Sequence, residues 1–263
     1  MPDPLWELIE KVLTVYNPPA KTGRKRSDPR QAFDGIMYRM RTGCQWNHLP
    51  PGLGDDSSVY HAFARWEKKA IFDILWAILL TKCDDFRGVD WLWKAADGCL
   101  GKARGVPKSG VGPSPSDRSK SGVKKSVLAE GHGRPFATCI SGANVPDTTL
   151  LKATLYAVVV VRPAPTAEAP QHLCLDRGYD NTPAAAVVLA AGIVLGAGYV
   201  PYIRRISEEK LDDQNQKTHP ARRWVVKRTF AWLSRCSAIL VRYDKRADRY
   251  LAMIKLASGL LWF

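Results

Sequence analysis

Paired cysteines are missing from this sequence. Its six cysteines, at positions 44, 83, 99, 139, 174 and 236, form no CxxC and no close pair. That scatter excludes a disulfide scaffold and reads as reduced thiols in a cytosolic protein. The five histidines, at 48, 61, 132, 172 and 219, are as scattered, so zinc-ligand spacing is missing too. No uncharged run survives as a membrane span. Residues 181–203 carry no charge, but Pro183, Gly192, Gly196, Gly198 and Pro201 interrupt them. The opening Met1-Pro2-Asp3-Pro4-Leu5-Trp6-Glu7 lacks the basic-then-apolar layout of a signal peptide, so a cytoplasmic location is expected. Acidic residues are scarce: 25 Asp and Glu stand against 39 Lys and Arg, a formal charge of +14. Such an excess speaks about partners rather than fold, and the usual polyanion is nucleic acid. What remains is an ordinary globular composition, 46% hydrophobic and 24% charged over 263 residues. That length allows one large domain or two modest ones, each able to bury a core unaided.

The first 85 residues read as helical. Leu5, Leu8, Ile9, Val12 and Leu13 recur at helical spacing. A basic Pro/Gly linker with Lys21, Arg24, Lys25 and Arg26 follows. The next helix starts at Ser27 or Asp28 as N-cap and stops at Gly43. Asp56 or Ser57 caps a third, and Ile71 to Leu80 makes a fourth. Short helices with a basic approach fit a helix-turn-helix-like DNA module, or equally a plain helical cap on a neighbouring domain.

From residue 89 the period changes to two. Val89, Trp91, Trp93, Ala95 and Asp97 alternate, which predicts a strand ending at Asp97-Gly98 and a loop over 99–121. Strands at 123–128 and 135–141 form a hairpin about Glu130-Gly131-His132-Gly133, and Asp147 caps the following helix. A short strand, Gln171 to Leu175, leads to Asp176; a helix over 184–191 and a strand near 199–203 complete a mixed α/β order.

Asp97 and Asp176 share a setting, each at the end of an apolar strand. A carboxylate there is costly unless it binds a metal or a hydrogen-bond network. Two such ends side by side suit a hard cation such as Mg²⁺ and phosphoryl transfer. Both aspartates also fit a plain turn, in Asp97-Gly98 and in Asp176-Arg177-Gly178. Two glycine-rich stretches are decoys. Gly105 to Gly110 is followed by Val111 where a phosphate-binding lysine belongs, and Gly192 to Gly198 follows a helix rather than a strand.

Several blocks, in order along nearly the whole chain, resemble the DDE transposases of bacterial insertion sequences, in the insertion-sequence-five family. They are Arg41-Thr42-Gly43-Cys44-Gln45-Trp46-Asn47-His48-Leu49-Pro50, Ala96-Asp97-Gly98 and Cys174-Leu175-Asp176-Arg177-Gly178-Tyr179-Asp180. Arg222-Arg223-Trp224-Val225-Val226-Lys227-Arg228-Thr229-Phe230 and Arg242-Tyr243-Asp244-Lys245 complete the set. The resemblance implies a helical DNA-binding region over 1–85 and a ribonuclease-H-like catalytic domain over 86–263, its mixed sheet flanked by helices. It implies a two-metal Mg²⁺ site, with Mn²⁺ able to substitute, on Asp97, Asp176 and a third acid. The family's glutamate stands four residues after the arginine matching Arg223, where this chain has Lys227. An ammonium there opposes a cation instead of binding it.

The implied partners are double-stranded DNA, as terminal inverted repeats and target, and a second copy of the chain in a dimer or larger assembly. Arg24, Lys25, Arg26, Arg118, Lys120, Lys124, Lys125, Arg222, Arg223 and Arg228 are the expected phosphate contacts. Trp224 and Trp232 are expected to pack in the interior. The competing reading is a catalytically inactive DNA-binding descendant that recognises the same repeats without cutting them.

Overall fold

A computed structural model describes residues 1–19, 22, 25–107, 109–175, 192–203 and 223–263. The chain divides into two compact units: Met1–Phe86, Lys102–Ser109 and Trp232–Phe263 form the first, Arg87–Gly101 and Gly110–Ala231 the second. Lys102–Ser109 and Trp232–Phe263 thus group with the helices, although the sequence reading places residues 86–263 together. No helix among the described residues is long and apolar enough to cross a membrane.

The first unit is helical. Helix α1 (Asp3–Tyr16) buries Leu5, Trp6, Ile9, Val12 and Leu13, the predicted stripe. Helix α2 (Pro29–Thr42) is capped by Asp28, whose carboxylate accepts from the Arg30 N–H, and it stops at Gly43 with φ 70°. That left-handed conformation costs glycine nothing, which is why the helix ends there. Helix α3 (Asp56–Lys68) is capped one residue earlier than expected, by Asp55 accepting from Ser58 N–H at 2.8 Å. Helix α4 (Ile71–Arg87) outruns its apolar stretch by two turns, because exposed polar residues prolong a helix without breaking it.

The later residues add α7 (Ser237–Leu240) and α8 (Ala247–Leu260), taking α5 and α6 for the second unit. Strand β7 (Val241–Arg242) pairs in parallel with Lys102 and Ala103. Helix α8 buries Tyr250, Met253 and Ile254, and at Gly259 an added Cβ would lie 3.1 Å from the Trp76 backbone. Ion pairs Arg249–Glu67 (3.2 Å) and Lys255–Asp73 (2.6 Å) tie it to α3 and α4.

The second unit is a mixed sheet. Its strands are β1 (Trp93–Ala103), β2 (Gly112–Pro113), β3 (Ser121–Glu130), β4 (Pro135–Gly142), β5 (His172–Leu175) and β6 (Val200–Ile203). The order is β4-β3-β1-β5-β6, with β2 alongside β3. Strands β3 and β4 are antiparallel, whereas β5 runs parallel to β1 and β6 parallel to β5. Helix α5 (Asp147–Tyr156) follows the third long strand, and α6 (Arg223–Ser234) comes after the sheet. That is a mixed α/β arrangement, a mixed sheet with helices, as expected.

One expectation fails here. Strand β1 does not end at Asp97-Gly98 but continues to Ala103. An Asp-Gly pair reads locally as a turn; here neighbouring strands hold it extended, down to Arg104, whose N–H donates to Arg242 O at 2.9 Å. The predicted loop therefore starts later.

Strand β1 also buries a lysine. Lys94 is 1% exposed, with its Nζ donating to Trp91 O. Trp91, Tyr199 and Phe136 surround it, their ring centroids 5.3, 5.5 and 6.0 Å from Nζ. Burial, helped by nearby Arg162, pushes its pKa down to about 7. At the far end of β3, the fully buried Glu130 is held by Arg134 Nε at 3.1 Å and His132 Nδ1 at 2.8 Å.

Candidate active site

Asp97 stands half-buried in the middle of β1, one Oδ1 accepting the Gly98 N–H at 2.8 Å. A second carboxylate, expected as a helix cap, lies over the neighbouring Gly98, whose side-chain position faces the opposite side of the strand from Asp97. The N-cap position of α5 is Pro146, so Asp147 is the first helical residue instead. Its Oδ1 pairs with Lys124 Nζ at 3.1 Å. It packs so closely over Gly98 that a Cβ there would lie 2.0 Å away. The Thr154 hydroxyl, donating to Ser126 Oγ at 2.7 Å, anchors α5 over β3 and brings Asp147 to this position. The only sequence signal for this contact is the glycine after Asp97, whose missing side chain leaves room for the carboxylate.

Gly98→Ala is therefore expected to displace Asp147 and break its ion pair. The cost should be about 1–2 kcal/mol, as for other overpacked sites, read as a lowered urea midpoint. An unchanged midpoint would show that Asp147 moves aside freely.

Lys124 and Lys125, expected to meet phosphates, are 7% and 2% exposed. Lys124 is committed to Asp147, and burial lowers the Lys125 pKa. Neither is available to an external phosphate in this conformation: both side chains are buried, and α5 lies over Lys124. Burial raises the neighbouring Cys99 thiol pKa; Asp97 adds to the rise and Lys125 opposes it. Lys124 and Asp147 thus pair over Gly98, while Asp97 and Lys125 both act on Cys99.

Strand β5 sets the other half. Ala96 and Leu175 are partners in the parallel register, and in the sequence each is followed by an aspartate, Asp97 and Asp176. Asp176 itself lies outside the described residues, as do Arg24 and Arg222, and Arg223 is described by its backbone alone. Among the described residues, no group of three or more His, Cys, Asp or Glu side chains is placed to hold a metal ion.

Helix α6 buries Val225, Val226, Thr229, Phe230 and Leu233 and leaves Trp224 and Lys227 exposed. It docks on the β3–β4 hairpin, where Thr229 Oγ1 donates to Gly133 O at 2.6 Å and Arg228 donates to His132 O. Trp224 is 57% exposed and carries the Arg228 guanidinium 4.7 Å from its ring centroid. The expectation that Trp224 packs inside is corrected: its position on the helix falls opposite the apolar stripe. Lys25, Arg26, Arg118 and Lys120 are exposed, while Arg228 is only partly so. Arg118 stands at φ 50° in a tight loop closed by Ser114 N–H donating to Lys120 O at 2.8 Å.

A family model described as "Putative transposase of IS4/5 family (DUF4096)" matches residues 1–76. The "Putative transposase for insertion sequence element IS402" of Burkholderia cepacia is 31% identical over 159 residues, 60% of this chain and 69% of that protein. The "Insertion element IS402 uncharacterized 16.2 kDa protein" of the same organism is 30% identical, over 40% of this chain and 74% of its own length. The crystal structure of the Mos1 mariner paired end complex with Mn covers 95% of this chain and 80% of its own, at 11% identity and a TM-score of 0.28. A likeness that slight carries neither fold nor chemistry across. The sequence relatives suffice: the chain belongs to the insertion-sequence transposases.

Proposed function

We propose that the chain binds the terminal inverted repeats of an insertion sequence and carries out metal-dependent strand cleavage and transfer, weakened by Lys227. The observation that carries the catalytic part is the parallel register pair Ala96–Leu175, each partner followed by an aspartate. In this reading Asp97 and Asp176 would hold Mg²⁺ or Mn²⁺, which would supply Lewis-acid chemistry for phosphoryl transfer. The donor set fits a hard cation only in part: Asp97 offers a half-buried carboxylate, and the set needs Asp176 to be complete. Lys227 contributes positive charge on α6 where the family carries an acid, and this opposes the ion.

The exposed Lys25, Arg26, Arg118 and Lys120, with Arg24, Arg222 and Arg223, neutralise phosphates and set register on the duplex. Joining two element ends requires a dimer or larger assembly, working at the nucleoid in the bacterial cytoplasm.

Fluorescence anisotropy with the full chain tests the binding part. Duplexes carrying the element's own ends should bind more tightly than scrambled duplexes of equal length. Affinity for both should fall at least about tenfold between 50 and 200 mM salt, since phosphate contacts release counterions. Equal affinity for the two sequences would sink the repeat-recognition claim.

A further inference from the structure

The helical unit contains a cleft that the catalytic reading does not use. Its volume is about 850 Å³, and residues of the α2–α3 connection, Arg104 and the segment after β7 line it. At its floor Arg39 is 5% exposed and donates through Nη2 to both Asp244 oxygens, at 3.3 and 3.2 Å. Its Nε and Nη1 are buried and have no hydrogen-bond partner among the described residues. Arg249 Nη1 is in the same state. Buried N–H groups left unmet are costly.

The wall alternates cations and rings. Arg39 lies 5.1 Å from the Trp46 ring centroid, Trp46 meets Tyr60 edge-on at 5.4 Å, and Arg249 lies 5.5 Å from Tyr60. At the rim Tyr243 is 54% exposed, and Arg104 and Lys245 are exposed cations. The rim is held in place from below. Fully buried Arg242 donates to the carbonyls of Asp244 (3.1 Å), Ser109 (3.3 Å) and Lys245 (3.4 Å), which fixes the backbone carrying Tyr243 and Lys245.

Aromatic faces interleaved with guanidinium groups bind single-stranded nucleic acid, because every base offers a face to stack and every link a phosphate. The volume suits a small ligand rather than a double helix. We propose that this cleft holds an unpaired nucleotide of a DNA strand, its base on Tyr243 and its phosphate on Arg104 and Lys245. The proposal rests on the reading of the chain as a DNA-binding protein, and it adds that one strand is gripped away from the carboxylates.

The test uses the full chain with three probes: a short labelled oligothymidylate, a duplex of equal length and thymidine monophosphate. Tyr243→Ala is expected to weaken oligothymidylate binding about tenfold and to leave duplex binding within twofold. Tyr243→Phe should bind as the parent does, and Lys245→Gln should flatten the salt dependence for the oligonucleotide. Thymidine monophosphate should compete only at far higher concentration than the oligonucleotide. Equal competition would make this a free-nucleotide site and overturn the proposal. Equal losses for both DNA forms would also overturn it, as would no loss with Tyr243→Ala while the duplex still binds. Failure to bind either DNA form would sink the DNA reading itself, and this proposal with it.

Discussion

Lys227→Glu is expected to raise Mg²⁺- or Mn²⁺-dependent cleavage of repeat-end DNA on the order of a hundredfold. The substitution changes the local charge by two units, from an ammonium that opposes a divalent ion to a carboxylate that binds one. At an effective dielectric of about 20, one unit-charge contact at 4 Å is worth about 4 kcal/mol, and each 1.4 kcal/mol is about tenfold in rate. Because Lys227 is exposed on α6, the exchange should move stability by no more than about 0.5 kcal/mol, so a gain in rate would not reflect better folding. A cleavage assay run on the parent and the variant decides the matter. Vigorous cutting by the parent would show that the third acid is dispensable in this chain. No gain from the variant, with DNA binding intact, would favour the inactive DNA-binding descendant.

Lys94→Met should change how stability depends on pH. The lysine is buried among Trp91, Phe136 and Tyr199, and burial moves its pKa down to about 7 against an ordinary 10.5. Arg162 pushes the same way, while Asp90 and Glu130 push back. The sign follows from proton counts. At pH 6 both folded and unfolded chains carry the proton, and the cost of burying the charge is fully present. Between pH 7 and about 10 the folded form sheds the proton and the unfolded form keeps it, so stability rises with pH. The span corresponds to about 4 kcal/mol. Methionine removes the titration but leaves the Trp91 carbonyl without its donor, a loss of about 1–3 kcal/mol. Urea unfolding should therefore find the variant more stable at pH 6 by about 2 kcal/mol, with the advantage gone by pH 10. Stability curves that stay parallel across that range would show that Lys94 keeps its proton when folded.

Much of the helical unit is legible in the sequence, because its signals are local. The stripe of α1, the Asp28 cap and the Gly43 stop each depend on residues within a turn or two. The positions of the longer strands along the chain are legible as well, through alternation and the apolar Leu173 to Leu175. What escaped depends on partners distant in the chain. Asp97-Gly98 looks like a turn until β3 and β7 are known to line β1. Lys94, Lys124 and Lys125 look solvated, yet an aromatic cage, an α5 carboxylate and an inner strand bury them. Asp147 looks like a cap, and only the docking of α5 on β3 brings it over Gly98 and onto Lys124. Asp97 itself was found from its strand and from family resemblance together; the resemblance alone supplied the meaning of Lys227.

The grouping of Trp232–Phe263 with Met1–Phe86 has a consequence for the order of events during synthesis. Helices α1 to α4 leave the ribosome early, but Trp76, Glu67, Asp73 and Arg39 meet their partners only when residues 244–259 emerge. The helical unit therefore completes its core after the whole sheet has been translated. A nascent chain still short of those residues would present α2 and α3 to a passing duplex with the Arg39 charge unpaired. Packing of the helical unit is thus set late, once residues 244–259 have been made.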